Sequence, residues 1–216
     1  MHANVNERAL VETPTQPWLA TADGEGACKP LDSLAGGAGT TSLVQAAAGA
    51  EFAPPGNALG EEILVLDGTL TDAGGVWGAG AYLRNPPGSA QALRSESGCV
   101  LFIKRYAFGP EDMATVRLDT ASMPWRPGLV PGLSVLPLHE HAGEHVALVR
   151  WQPETFFQSH AHFGGEEILV LDGVFEDEFG RYPAGSWLRS PHMSRHQPFS
   201  REGCTIFVKV GHLGAG

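Results

Sequence analysis

One stretch of this chain occurs twice, and that fact constrains the fold more than any other. The segment 60–68, Gly-Glu-Glu-Ile-Leu-Val-Leu-Asp-Gly, recurs unchanged at 165–173, an offset of 105. Carried on without gaps, residues 60–104 match residues 165–209 at 22 of 45 positions. The shared residues include Asp72/Asp177, Gly80/Gly185, Arg84/Arg189, Pro86/Pro191, Cys99/Cys204 and Lys104/Lys209. Upstream, Pro17-Trp18 resembles Pro124-Trp125 and Pro30-Leu31 resembles Pro137-Leu138, both at offset 107, so a two-residue indel follows. A duplicated chain of 216 residues is expected to form two like units, cut here into 1–107 and 108–216. The joint falls within 106–122, with the turn-rich run 108–112 as the linker.

Each copy reads as short strands. The 28 glycines and 16 prolines make up 44 of 216 residues, about 20% against about 12% in average usage. They interrupt helices and favour tight turns. Residues 61–66 form an apolar run closed by Asp67-Gly68, a strong turn signal. Candidate strands follow at 69–72, 81–84 and 99–104, the last repeated at 204–210. Residues 20–50 read as loops and short strands. Such spacing predicts an all-β sandwich or barrel, built twice.

The net charge of −10 repels phosphate backbones, which argues against nucleic-acid binding. No run approaches the length of about 20 apolar residues that a spanning helix needs, so no membrane partner is expected. The first ten residues carry Glu7 and Arg8 and no apolar run, unlike a secretory signal. Cys28, Cys99 and Cys204 are odd in number and widely spaced, which fits a reducing cytoplasm better than a disulfide scaffold. Cys99 and Cys204 occupy equivalent positions and read as buried core thiols.

The chemistry lies in the second copy. In His160-Ala-His162-Phe-Gly-Gly-Glu166 the two histidines sit at i and i+2, on one face of a strand. The Gly164-Gly165 pair turns the chain so that Glu166 opens the next strand toward the same point. A third imidazole, His196, closes Pro191-His-Met-Ser-Arg-His196. Three neutral imidazoles and a carboxylate suit one divalent ion, with zinc first and iron, manganese, nickel or cobalt as alternatives. The site charge is then +2 − 1 = +1. The first copy is an internal control. At offset 105 the four residues fall on Pro55, Asn57, Glu61 and Gln91. The scaffold around them is retained without the imidazoles, so the histidines read as ligands and the first copy as metal-free.

The pattern His160-x-His162-x3-Glu166-x6-Gly173, then Gly185-x5-Pro191-x-Met193-x2-His196, resembles the two motifs of the cupin superfamily. Glu154 and Met193 stand where that pattern has glycine, whereas the first copy has Gly49 and Gly88 there. The run 164–173, with Asp177, Gly180, 182–185, 188–191 and Gly203-Cys204, is similar to the cupin domain of ChrR-type anti-sigma factors. Trp125-Arg-Pro and 131–138 extend the likeness. It implies two tandem cupin (jelly-roll) barrels, with the metal at the mouth of the second. Sigma-factor binding is not implied. Proteins of that family use a separate N-terminal helical zinc domain with a His and paired Cys, and here only His2 and Cys28 are available. Single cupins often pair by sheet exchange, so a homodimer or an intramolecular pseudo-dimer is an expected arrangement.

The remaining candidates read more plainly. Glu167 is expected to point away from the metal and pair with Arg189, as Glu62 would with Arg84. His139 and His141 read as a loop pair before a strand at 146–151. Phe156, Trp187, His192 and Phe207 are candidate pocket residues over the metal. Two functions follow. One is a ligand-binding or redox-responsive regulatory protein, which predicts a closed metal shell. The other is a metal-dependent cupin enzyme, such as a small-diketone-type dioxygenase or an isomerase, which predicts an apolar pocket leading to open positions.

Overall fold

The structure, a computed structural model, describes residues 4–21, 26–34, 39–52, 59–89, 92–106, 108–109 and 111–213. The described residues form strands and two 3-10 turns, and none of their helices is long and apolar enough to cross a membrane. Two compact units emerge, and each is an antiparallel barrel-like fold of the expected all-β class. The counterparts Pro55, Asn57 and Gln91, along with His2, lie outside the described residues.

In the second unit the main sheet runs Ala9–Glu12, Ser186–Ser190, Glu166–Asp177, Cys204–Val210, Glu144–Trp151, Leu133–His141, Arg126–Pro127. The first unit repeats that order with Val116–Leu118, Tyr82–Asn85, Glu61–Asp72, Cys99–Tyr106, Gly39–Ala46, Gly26–Leu34 and Leu19–Ala20. The outermost strand in each case comes from the other copy. Residues 4–16 belong to the second unit and residues 108–123 to the first, the reverse of what a cut at 107/108 assigns. Both guests are fastened alike. Thr13 Oγ1 donates to the Gly185 carbonyl at 2.7 Å, and Thr120 Oγ1 to the Gly80 carbonyl at 2.6 Å. Two of the described residues in the expected linker are anchored. Phe108 is buried under the Arg84 guanidinium, and Asp112 is paired with Arg84.

Two local expectations need correction. Asp67-Gly68 does not end a strand; Glu61–Asp72 is continuous, as is Glu166–Asp177. The register skips one residue there, and Gly68 and Gly173 adopt φ of 72° and 70°. A bulge with a left-handed glycine bends the strand so that its first half joins the large sheet and its second half pairs elsewhere. His139 and His141 lie in the strand Leu133–His141 rather than in a loop. Its two-residue turn, Ala142-Gly143, has φ of 47° and 88°, matching the right-handed strand twist. The first copy has residues 35–38 between the equivalent strands, which places the two-residue indel in this hairpin.

The barrel interiors correspond position by position. Ile63, Val65, Leu83, Cys99 and Leu101 in one match Ile168, Val170, Leu188, Cys204 and Ile206 in the other. Burial pushes the Cys204 thiol up to about 12 and raises Cys99 as well, so both are packing groups at neutral pH.

Candidate metal centre

A two-rung ladder brings two of the imidazoles together. His160–Ala161 pairs with Arg195–His196, with His160 directly opposite His196. His162 continues the first strand and returns to the same point, its ring 4.5 Å from that of His160 and 4.8 Å from that of His196. The turn after it uses two left-handed glycines, Gly164 at φ 74° and Gly165 at φ 72°. A Cβ on Gly164 would come within 2.6 Å of the Gly211 backbone, and one on Gly165 within 2.7 Å of Leu213. Only glycine fits, and Glu166 therefore starts the next strand pointing at the imidazoles.

Candidate donor atoms of the three histidines lie within 4.8 Å of one another, and no other such group occurs among the described residues. His162 Nε2 is 2.9 Å from His196 Nε2. Glu166 Oε2 is 3.6 Å from His162 Nε2 and 3.5 Å from His196 Nε2. Ligands about 2.1 Å from one ion, at angles of about 90–110°, stand roughly 3.0–3.4 Å apart. His162, His196 and Glu166 stand near that spacing and His160 lies within 4.8 Å, so the group could hold a single divalent cation.

The hydrogen bonds around the cluster present the right nitrogens. His160 Nδ1 is 3.0 Å from the Gln158 carbonyl, an obligate acceptor, so Nδ1 carries the proton and Nε2 is free. His196 Nδ1 lies 3.3 Å from Asp177 Oδ2, which orients it in the same way. Asp177 is in turn held by Arg8 Nη2 at 2.6 Å and by the Tyr182 hydroxyl at 2.8 Å. Burial alone would raise Asp177, but hydrogen bonds from His196, Arg8 and Tyr182 outweigh it and hold the carboxyl at about 2. Burial and the neighbouring imidazoles push His162 down to about 3, and burial lowers His160 too. Burial pushes Glu166 up to about 7. At neutral pH His160 and His162 bear no competing proton, which is the state a metal requires.

The other sequence candidates lie elsewhere. Glu167 accepts from Trp187 Nε1 at 2.8 Å and sits 3.2 Å from His212 Nε2, across the strand from Arg189. In the first unit, Glu62 accepts from Tyr82 at 2.9 Å and pairs with Arg84. That arrangement is structural, since it persists without the imidazoles. His192 staples the glycine turn, its Nδ1 accepting from the Gly164 N–H at 2.9 Å. Phe156 is half exposed and stacks on Phe199.

A cavity of about 170 Å³ opens beside the imidazoles. His160, Glu166 and His196 form part of its wall, and Val149, Trp151, Phe157, Ile168, Phe175 and Ile206 supply much of the apolar remainder. Trp187 and Phe207 do not line it. Both register with Leu169, in a buried row on the opposite face of the sheet from Ile168 and Ile206. A strand alternates faces with period two, so an error of one residue in choosing the face exchanges the whole set.

No curated protein matches the sequence. In fold, the chain is similar to the YlbA protein of Escherichia coli, with a TM-score of 0.74 and 15% identity over 97% of this chain and 93% of that one. It is also similar to a candidate dioxygenase of Nostoc punctiforme, with a TM-score of 0.72 and 16% identity over 95% and 82% of the two chains. A variant of Bacillus subtilis oxalate decarboxylase shares the fold at a TM-score of 0.68 and 12% identity, over 97% and 78%. The family model for the ChrR cupin-like domain matches twice, over residues 6–109 and 113–214, and the chain belongs to that family as a tandem of two cupin domains.

Proposed function

We propose that the second barrel is a mononuclear divalent-metal centre, ligated by His160, His162, Glu166 and His196, that receives a small molecule. The observation that carries this reading is the cavity of about 170 Å³, walled by three of the four ligand residues and otherwise nearly apolar. A purely structural metal site is closed by its ligands, whereas a site that works on a substrate keeps access to the ion. The cavity therefore favours the enzyme reading over the closed-shell regulatory one. A bound divalent ion would supply Lewis-acid polarisation of an oxygen ligand or activation of water. The chain itself orients His196 through Asp177, keeps His160 and His162 unprotonated at neutral pH and excludes bulk water with apolar walls. Dioxygenase and decarboxylase chemistry, named for two proteins of similar fold, and diketone cleavage are the reactions to screen first. Zinc is the first ion to test, ahead of iron, manganese, nickel and cobalt.

A regulatory, ligand-sensing role is the second reading. It is favoured by the absence of a separate acid or base among the cavity's lining residues, whose polar members are Trp151 and the three ligands. Elemental analysis tests the shared claim. Purified wild type should hold about one divalent ion per chain, and H160A and H196A should hold almost none; equal contents would sink the proposal. The visible spectrum of the cobalt-loaded protein should then shift when acetate is added, because the cavity leaves the ion accessible. An unchanged spectrum would point to a closed shell.

A further inference from the structure

The cavity beside the imidazoles has a single polar patch. His160, Glu166 and His196 converge there, with Glu166 Oε2 3.5 Å from His196 Nε2 and the His160 and His196 rings 5.1 Å apart. The other lining side chains among the described residues are hydrocarbon, except that of Trp151, whose indole Nε1 is buried out of reach of a ligand. A polar group carried into that part of the cavity would lose its water and find no side-chain partner, which is unfavourable. The cavity therefore selects a molecule with its polar atoms at one end.

Its opening is marked by Leu129, which lines the same cavity and is 88% exposed, whereas Ile168, Phe175 and Ile206 belong to the buried core. The loop that carries Leu129 is fixed. The Gly128 N–H donates to the Leu133 carbonyl at 2.9 Å, and the Leu133 N–H to the Val130 carbonyl at 3.2 Å. Gly132, at φ 91°, sits so close to Thr155 that a Cβ would come within 2.2 Å of its hydroxyl oxygen. Leu129 is thus held at the mouth before any ligand arrives. The volume of about 170 Å³ slightly exceeds the roughly 150 Å³ that admits benzene, and suits about six to eight non-hydrogen atoms. With a divalent ion and the Glu166 carboxylate, the polar patch carries a charge of +1 and favours an anionic oxygen.

We propose that this site takes a short-chain aliphatic monocarboxylate. Its carboxylate lies at the imidazole end, its tail along the apolar wall and its last carbons beside Leu129. This names the ligand class of the metal site above and rests on that reading, so metal content is measured first. A chain that holds no ion overturns that reading, and this one with it.

Calorimetric titration of the metal-loaded wild type then follows acetate, propanoate, butanoate and pentanoate. Affinity should rise about fourfold with each methylene, the gain from burying one CH₂. Butanedioate and 4-methylpentanoate have the same number of non-hydrogen atoms and differ in a second carboxylate against two methyl groups. The monoacid should bind at least about tenfold more tightly. L129A should keep its metal, weaken hexanoate about fivefold and leave acetate unchanged. A flat series, or a diacid that binds as tightly as the monoacid, overturns the proposal while the metal reading stands. Hexanoate and acetate affinities that respond alike to L129A overturn the place given to Leu129.

Discussion

The two barrels share a scaffold and differ in what it carries. In the first, Asp72 accepts from Trp77 Nε1 at 2.9 Å and from Arg117 Nε at 2.6 Å. In the second, Asp177 accepts from the Tyr182 hydroxyl at 2.8 Å and from Arg8 at 2.6 Å. Each aspartate clips the guest strand to its host, although Arg117 corresponds in register to Leu10 rather than to Arg8. The carboxylate that orients His196 is therefore a scaffold element put to a second use. The three imidazoles can be added to, or lost from, this fold without touching the clip, because His160 and His196 sit on a two-residue ladder and His162 on the turn beside it.

The largest effect should come from removing a ligand in the second barrel, set against removal of the one retained counterpart in the first, Glu61, which corresponds to Glu166. H162A should abolish metal binding and any metal-dependent rise in melting temperature. E61A should leave metal content at the wild-type level, and a loss of metal there would break the distinction between the barrels.

Removing the orienting carboxylate should weaken the site without abolishing it. D177N is expected to lower metal affinity by about 10–100-fold, and D72N to leave it unchanged. Titration against a chelator of known affinity reads both, and equal effects would show that Asp177 acts only through stability.

A smaller difference is backbone strain. Glu154 and Met193 adopt φ of 59° and 60°, where the first copy has Gly49 at 84° and Gly88 at 77°. A left-handed non-glycine residue is disfavoured by about 1–2 kcal/mol, and glycine's greater chain entropy offsets about half of that. M193G should raise stability by about 0.5–1 kcal/mol in chemical denaturation, and G88M should lower it. A destabilised M193G would mean that the Met193 side chain contributes more than the strain removes.

The smallest effect is acid sensitivity of the first barrel's clip. Burial would raise Asp72, but hydrogen bonds from Trp77, Arg117 and the Gly74 N–H outweigh it and hold its pKa below the ordinary value. A carboxylate depressed in the folded state stabilises above its unfolded pKa of about 3.9. That contribution is lost as pH falls through the lower folded value. The melting temperature of wild type should therefore drop more steeply than that of D72N between about pH 5 and pH 3. Parallel slopes would remove Asp72 from the account.

Much of the candidate site was legible because its residues are close in sequence. His160, His162 and Glu166 are bound by period-two geometry and a glycine turn, and the first copy showed by contrast that the imidazoles are not scaffold. The cavity was not legible. Trp187 and Phe207 are large, apolar and near the motifs, but they occupy the other face of their strands. Trp151 and Phe175 carry no motif. A comparison of Ala46 with Trp151 and Leu70 with Phe175 at offset 105 could have found them.

The sequence by itself determined the duplication, the all-β class and the cluster of donors, because repeats, alternation and turn residues are local properties of the chain. Only the tertiary structure decided which copy supplies each barrel's outer strand and which aspartate orients His196. It also decided which faces of the bulged strands look inward. Those depend on contacts such as Arg8 with Asp177, 169 residues apart, and no local pattern encodes the closure of so long a loop.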